Sequence, residues 1–144
     1  GGCYAISACL SSREILNVFT PGSHGSTFGA NPLACAVARE ALRVMEEENF
    51  AKNADEKGKY FLNKLKTIKS KHIQEVRGQG LLIGIELKPE AGGARSFCEE
   101  LMKEEILCKE THKNVIRFSP PLVIKKKDLD WAFKRIKKVF KKFD

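Results

Sequence analysis

From Leu129 to Phe143 the residues Leu129, Ala132, Phe133, Ile136, Val139, Phe140 and Phe143 recur at steps of three or four, the repeat of a helix that hides one face. Such a helix has to lie against another layer. Residues 73–77 and 81–87 are rich in β-branched and apolar side chains and flank Gly78-Gln79-Gly80. They read as two strands joined by a tight glycine turn, or as a single bulged ribbon. Gly84 would let the second strand be approached closely. Pro89 and Gly92-Gly93 form a loop, after which Phe97, Leu101 and Met102 mark a short amphipathic helix ending near Ile106. Two more strands are expected at 107–109 and 115–118, the second ended by Pro120-Pro121. The sum is a compact α+β domain over roughly residues 60–144, a small antiparallel sheet backed by helices.

The first part of the chain reads as helical. Asn31 is a natural N-cap and Pro32 a natural first helical residue, so a helix is predicted from Pro32 with Leu33, Ala36, Val37, Leu42 and Met45 turned inward. Glu46-Glu47-Glu48 breaks that pattern. A second helix or a bent continuation then carries Phe50, Ala54, Phe61, Leu62, Leu65 and Ile68 inward, with Gly58 a possible weak point. Residues 3–10 are small and apolar enough for a buried strand, and Arg13-Glu14 suggests a short helix after them.

The net charge of +8 suggests nucleic acid until it is located. Residues 125–144 alone hold nine lysines and arginines against three aspartates, so most of the excess is one helix face. A solvated basic face accounts for it, and no recognition motif accompanies it; a basic, non-catalytic binding module using Lys134 and Lys138 is the competing reading. No apolar run approaches the ~20 residues that span a bilayer. The five cysteines are scattered, without zinc-type pairs or the density of a disulfide scaffold, which fits reduced thiols in a cytoplasmic protein.

The stretch Gly22-Ser23-His24-Gly25-Ser26-Thr27-Phe28-Gly29-Ala30-Asn31-Pro32 joins a hydroxyl-bearing loop to a helix start. Gly22, Gly25 and Gly29 permit positive φ and a close backbone approach. Ser26 and Thr27 add donors beside the positive end of a helix dipole, an arrangement that suits phosphate or carboxylate. The same residues also make a plain loop entering a helix, and the chemistry alone leaves both readings open.

Read whole, His24-Gly25-Ser26-Thr27-Phe28-Gly29-Ala30-Asn31-Pro32-Leu33-Ala34 resembles the interface loop of the class-III, ornithine-type, pyridoxal-phosphate aminotransferases. Leu107-Cys108-Lys109-Glu110-Thr111-His112 and Val115-Ile116-Arg117-Phe118-Ser119-Pro120-Pro121-Leu122 resemble the C-terminal domain of the same family. The resemblance implies the C-terminal part of a fold-type I pyridoxal-phosphate transferase, α/β to α+β. Residues 1–32 would be the tail of the large cofactor-binding domain, 33–59 a connecting helix, and 60–144 the small domain. It implies that Ser26 and Thr27 bind the phosphate of pyridoxal 5'-phosphate in the neighbouring subunit of a homodimer, and that Arg117 binds the substrate carboxylate. It further implies transfer of the δ-amino group of ornithine to 2-oxoglutarate, with acetylornithine or another ω-amino acid as the alternative donor. Ala5 and Ala30 depart from the family's usual residues, proline and glycine, without removing a functional group.

No catalytic residue is expected in this chain. By the resemblance, the lysine that holds the cofactor as a Schiff base lies before Gly1, so these residues alone are expected to be inactive. Lys109 is not that lysine, because the resemblance puts it in the small domain. Without the resemblance, Arg117 reads equally as a strand residue on a polar face or an ion-pair partner. His24 suits packing or hydrogen bonding; His72 and His112 lack a second ligand at metal spacing; Cys108 lacks a base to make it a nucleophile.

Overall fold

The computed structural model describes residues 4–144 and divides into two compact units, one ending at Asn49 and one running Phe50–Asp144. In the first unit lie α1 (Arg13–Leu16) and α2 (Pro32–Glu47). α2 begins where the sequence says it should: Asn31 caps it, its side chain accepting from the Ala34 N–H at 2.9 Å, and Pro32 occupies the first turn. It ends at Glu47, and just past its Glu48 cap Asn49 has a φ of +51°, a conformation that asparagine tolerates better than most residues.

Two expectations for this unit fail. Residues 4–10 form no strand and are mostly exposed, since no described strand pairs with them; Cys3 lies outside the described residues. On α2, Leu33, Leu42 and Met45 are exposed, while Ala34 is buried and Val37, Ala38, Ala41 and Val44 are half-buried. The inward face is thus the small-residue stripe at i, i+3, i+4 and i+7 from Ala34, which the larger residues around it mask in the sequence.

The second unit contains α3 (Phe50–Leu65), β1 (Ile73–Gln79), β2 (Leu82–Leu87), α4 (Arg95–Lys103), β3 (Lys109–Thr111), β4 (Val115–Phe118) and α5 (Lys126–Phe143), with a 3-10 turn at Pro89–Ala91. The four strands form one antiparallel sheet in the order β1-β2-β4-β3. One face carries Val76, Ile83, Ile85, Leu87, Ile116 and Phe118 into a core shared with Phe61 and Leu65 of α3, Phe97 and Leu101 of α4, and Leu129, Ile136, Val139 and Phe140 of α5. Burial of each such side chain stabilises the fold by about 1.5–3 kcal/mol. Phe97 stacks on Phe143 at 4.0 Å and meets Phe140 at 5.2 Å, which joins α4 to the end of α5.

The β1–β2 turn falls one step later than expected. Gly78 and Gln79 belong to β1, Gln79 pairs with Leu82, and the two turn residues are Gly80 and Leu81. Gly80 alone has positive φ, +53°, the pattern of a II′ hairpin. Gly58 is no weak point: a Cβ there would meet the Gly80 carbonyl oxygen at 2.0 Å, so glycine is what allows α3 to cross the hairpin turn. β3 starts at Lys109, not at 107, and Leu107 is exposed. Met102, expected inside α4, is also exposed.

α4 ends in a Schellman turn, with the Ile106 N–H on the Leu101 carbonyl at 2.9 Å and the Glu105 N–H on the Met102 carbonyl at 3.0 Å. The basic face of α5 is partly used within the fold. Lys138 reaches Glu104 at 2.6 Å, Lys142 pairs with Glu100, and Arg135 approaches Glu105 at 3.4 Å.

Candidate functional site

Two places carry the chemistry. The first is the loop before α2. All of residues 20–30 are exposed, and Thr20 and Ser23 close its start: the Thr20 N–H donates to Ser23 Oγ at 2.9 Å, and that hydroxyl donates to the Thr20 carbonyl at 2.7 Å. Ser26 and Gly29 then close a turn, the Gly29 N–H on the Ser26 carbonyl at 3.3 Å. Asn31 Nδ2 donates to the Phe28 carbonyl at 3.0 Å, so one side chain ties the turn to the helix it caps. His24 lies beside the Phe19 ring, 5.4 Å between centroids. Of the three glycines that permit positive φ, only Gly22 adopts it, at +87°. Ala30, where the family usually has glycine, also has it, at φ +52°, which costs about 1–2 kcal/mol for a residue with a Cβ.

The hydroxyls of Ser26 and Thr27 have no hydrogen-bond partner among the described residues and face solvent at the entry to a capped helix. Unspent donors at that position fit a phosphate group. A phosphorylated cofactor such as pyridoxal phosphate would find its anion held by Ser26 and Thr27; it would supply the carbonyl and the electron-accepting ring that amino-group transfer requires.

The second place is the solvent face of the sheet. Strand alternation turns Arg117 away from the core, between buried Ile116 and Phe118. Register sets it opposite Gly84 of β2 on one side and Lys109 of β3 on the other, with Arg77 of β1 beyond Gly84. Arg77 is bound to Glu75 at 2.8 Å and to Glu86, and those carboxylates hold its guanidinium above its ordinary range. Arg117 has no acidic or hydrogen-bonding partner among the described residues. A free planar guanidinium on a rigid strand can take a carboxylate by two parallel hydrogen bonds. The pairing of Lys109 with Arg117 is not legible from the expected strand at 107–109, because β3 runs Lys109–Thr111.

The other candidates have structural employment. His72 Nε2 lies 3.0 Å from the Phe143 carbonyl and its ring meets Phe97 edge-on. His112 is in the β3–β4 turn at φ +48°. Cys108 shares a hydrogen bond with Cys98, and that bond and burial push its thiol up, which keeps it protonated. Among the described residues no group of three or more histidine, cysteine or acidic side chains could hold a metal ion, and no helix is long and apolar enough to cross a membrane.

The family's model, aminotransferase class-III, matches residues 1–140, and the chain belongs to that family. With the small antiparallel sheet backed by helices, membership bears out the fold-type I class expected from the sequence. Within the family, the chain is 56% identical over 140 residues to the ornithine aminotransferase of Geobacillus sp. (strain WCH70), a match of 97% of this chain and 34% of that protein. It is 55% identical to that of Bacillus subtilis (strain 168), over 98% of this chain and 34% of the relative. Among solved structures, ornithine aminotransferase from Plasmodium yoelii superposes with a TM-score of 0.87 at 40% identity, covering 94% of this chain and 36% of that one. Acetylornithine aminotransferase from Elizabethkingia anophelis gives 0.82 at 39%, covering 92% and 34%. The chain thus spans about a third of the length of these relatives; its expected C-terminal placement does not follow from that share.

Proposed function

We propose that this chain is a segment of a pyridoxal-phosphate-dependent ornithine aminotransferase, which moves the δ-amino group of ornithine to 2-oxoglutarate and yields glutamate 5-semialdehyde and glutamate. The observation that carries the reading is the family match over nearly the whole chain, joined to identities of 55% and 56% with ornithine aminotransferases. Arg117 receives the substrate carboxylate and holds it in a fixed orientation. Ser26 and Thr27 hold the phosphate of the cofactor bound in the neighbouring subunit of a homodimer. Their unspent hydroxyls and the Asn31-capped helix support that role.

Residues 1–32 belong, in this reading, with the larger cofactor-binding part of the enzyme, residues 33–59 link it to the small domain, and residues 60–144 make up that domain. The Schiff-base lysine comes from outside this chain, so the chain alone does not transaminate. Four free thiols among the described residues suit a reducing cytoplasm. The acetylornithine aminotransferase structure, similar at 39% identity, supports a second reading with the acetylated donor. Steady-state kinetics of the complete enzyme decide between them: kcat/KM should favour ornithine over N-acetylornithine, and a preference for the acetylated substrate would reverse the assignment.

A further inference from the structure

Two thiols from different segments meet away from both places described above. Cys98 lies in the first turn of α4 and Cys108 immediately before β3, and a hydrogen bond joins their side chains. The fold fixes this meeting from both ends of the helix. At its start the Ala94 N–H donates to the Lys113 carbonyl at 2.8 Å, and at its end the Ile106 N–H turns back to the Leu101 carbonyl. Both thiols are free and half-buried against the core, but they are not equivalent. The bond to Cys108, helped by the Arg95 charge, holds Cys98 below the ordinary thiol range against burial and the Glu110 and Glu99 carboxylates. The same bond and burial push Cys108 up. A third group completes the cluster. Glu110 stands opposite buried Ile116 in the register, so its side chain turns to the core side, where its charge acts on Cys98 and Arg95. Its Oε2 is the one buried side-chain oxygen among the described residues that has no hydrogen-bond partner. Leaving such an atom unpaired is costly, and beside two thiols it has a use as a proton acceptor.

We propose that Cys98 and Cys108 are a reversible disulfide site for a low-molecular-weight disulfide such as oxidised glutathione, with Glu110 accepting the proton of Cys108. The attacking sulfur in such exchange is a thiolate, which a helix N-terminus and a neighbouring cation favour, so Cys98 attacks first. Its thiolate, having given its proton to solvent, displaces one glutathione thiolate and forms a mixed disulfide. Cys108 then passes its proton to Glu110 and attacks Cys98 Sγ, which breaks the mixed disulfide and releases the second glutathione. Two electrons move from the protein dithiol to the oxidant. The two protons follow by way of solvent and Glu110, so two molecules of glutathione leave for each oxidised one consumed. The new bond staples α4 to the start of β3 and restricts the unfolded chain, so the oxidised form resists unfolding better than the reduced form.

The test is to incubate the complete enzyme with oxidised glutathione, block the remaining thiols by alkylation and digest with trypsin without reduction. Cleavage after Arg95, Lys103 and Lys109 puts the two cysteines on separate peptides, 96–103 and 104–109. These should appear joined, lighter by two hydrogens than their sum, and dithiothreitol should separate them. Cys108→Ser should stop at a glutathione adduct on Cys98, and Cys98→Ser should leave Cys108 unmodified. Glu110→Gln should slow closure by about 100-fold, the lower end of what a positioned base contributes, and leave the final extent unchanged. Peptides that stay unlinked in the wild type, with both cysteines alkylated or with glutathione retained on Cys98, overturn the proposal. An adduct on Cys108 in Cys98→Ser reverses the order of attack, and an unchanged rate in Glu110→Gln removes the carboxylate from the step.

Discussion

Gly58→Ala sets two physical effects against each other with opposite signs. Gly58 is buried in the middle of α3, and helix propensity alone makes alanine better there by about 1 kcal/mol. Packing argues the reverse. The added Cβ would lie 2.0 Å from the oxygen, 2.2 Å from the carbonyl carbon and 2.7 Å from the Cα of Gly80. Real Cβ atoms essentially never come within 3.0 Å, so α3 or the turn has to retreat by about 1 Å. The obstacle is backbone, held at φ +53° between the paired residues Gln79 and Leu82, and it cannot swing aside as a side chain would. Overpacking costs about 1–3 kcal/mol, and backbone movement places this case at the upper end. After the propensity gain, a net loss of about 2 kcal/mol remains. Urea unfolding followed by far-UV circular dichroism should show a lower midpoint with an unchanged slope. Thermal unfolding should shift down by about 8–16 °C, at about 4–8 °C per kcal/mol for a unit of this size. A variant as stable as the parent, or more stable, would refute the claim that the Gly58–Gly80 crossing constrains the fold.

Three further outcomes follow from single residues. Ala30→Gly should raise stability by about 0.5–1 kcal/mol, the relief of a left-handed alanine less the added freedom of the unfolded chain, and a lower melting temperature would contradict it. Asp130 accepts from Lys64 and Tyr60, and these bonds hold its carboxyl below the usual aspartate range. Its contribution is complete above the unfolded value of about 3.9 and lost as pH falls through the folded one, so the stability difference between wild type and Asp130→Asn should shrink on acidification; a difference that grows would show the sign to be wrong. Thr27→Ala in the complete enzyme should weaken cofactor affinity by about 10- to 150-fold, the loss of one hydrogen bond to a charged group, read by titrating apoenzyme; unchanged affinity would remove Thr27 from the phosphate site.

What the sequence made legible was whatever had a strong period or a local cap. α5 was readable because its apolar residues keep helical spacing over four turns, and the start of α2 because Asn31 and Pro32 act on the backbone beside them. Features decided by distant partners were hidden. Residues 4–10 have the composition of a strand, yet a strand exists only where another pairs with it. The hairpin turn slipped because Gly78, which looks like a turn residue, sits in β1 where an added Cβ would meet the Leu82 carbonyl at 2.6 Å. At the candidate site, loop chemistry alone left the Ser26-Thr27 pair between an anion cradle and a plain loop, and an arginine in a strand is common, so the roles expected of that pair and of Arg117 came from family resemblance. That Lys109 lies opposite Arg117 was hidden because pairing depends on register, which is set by where the β3–β4 turn closes. Ala30, standing where glycine is frequent, raises the question of its backbone angle in the sequence, and the structure answers it with a left-handed φ of +52°.

Among the described residues the sheet has two edge strands, β1 and β3, and they are unlike. β1 is seven residues long, but its register shifts between Ile73 and Glu75, and charged Glu75 and Arg77 follow along its length. β3 has three residues. Long, flat, uncharged edges recruit strands from other molecules and seed aggregates, whereas an irregular charged edge and a very short one give an incoming strand little to pair with. Sheet-to-sheet polymerisation is therefore discouraged at both ends.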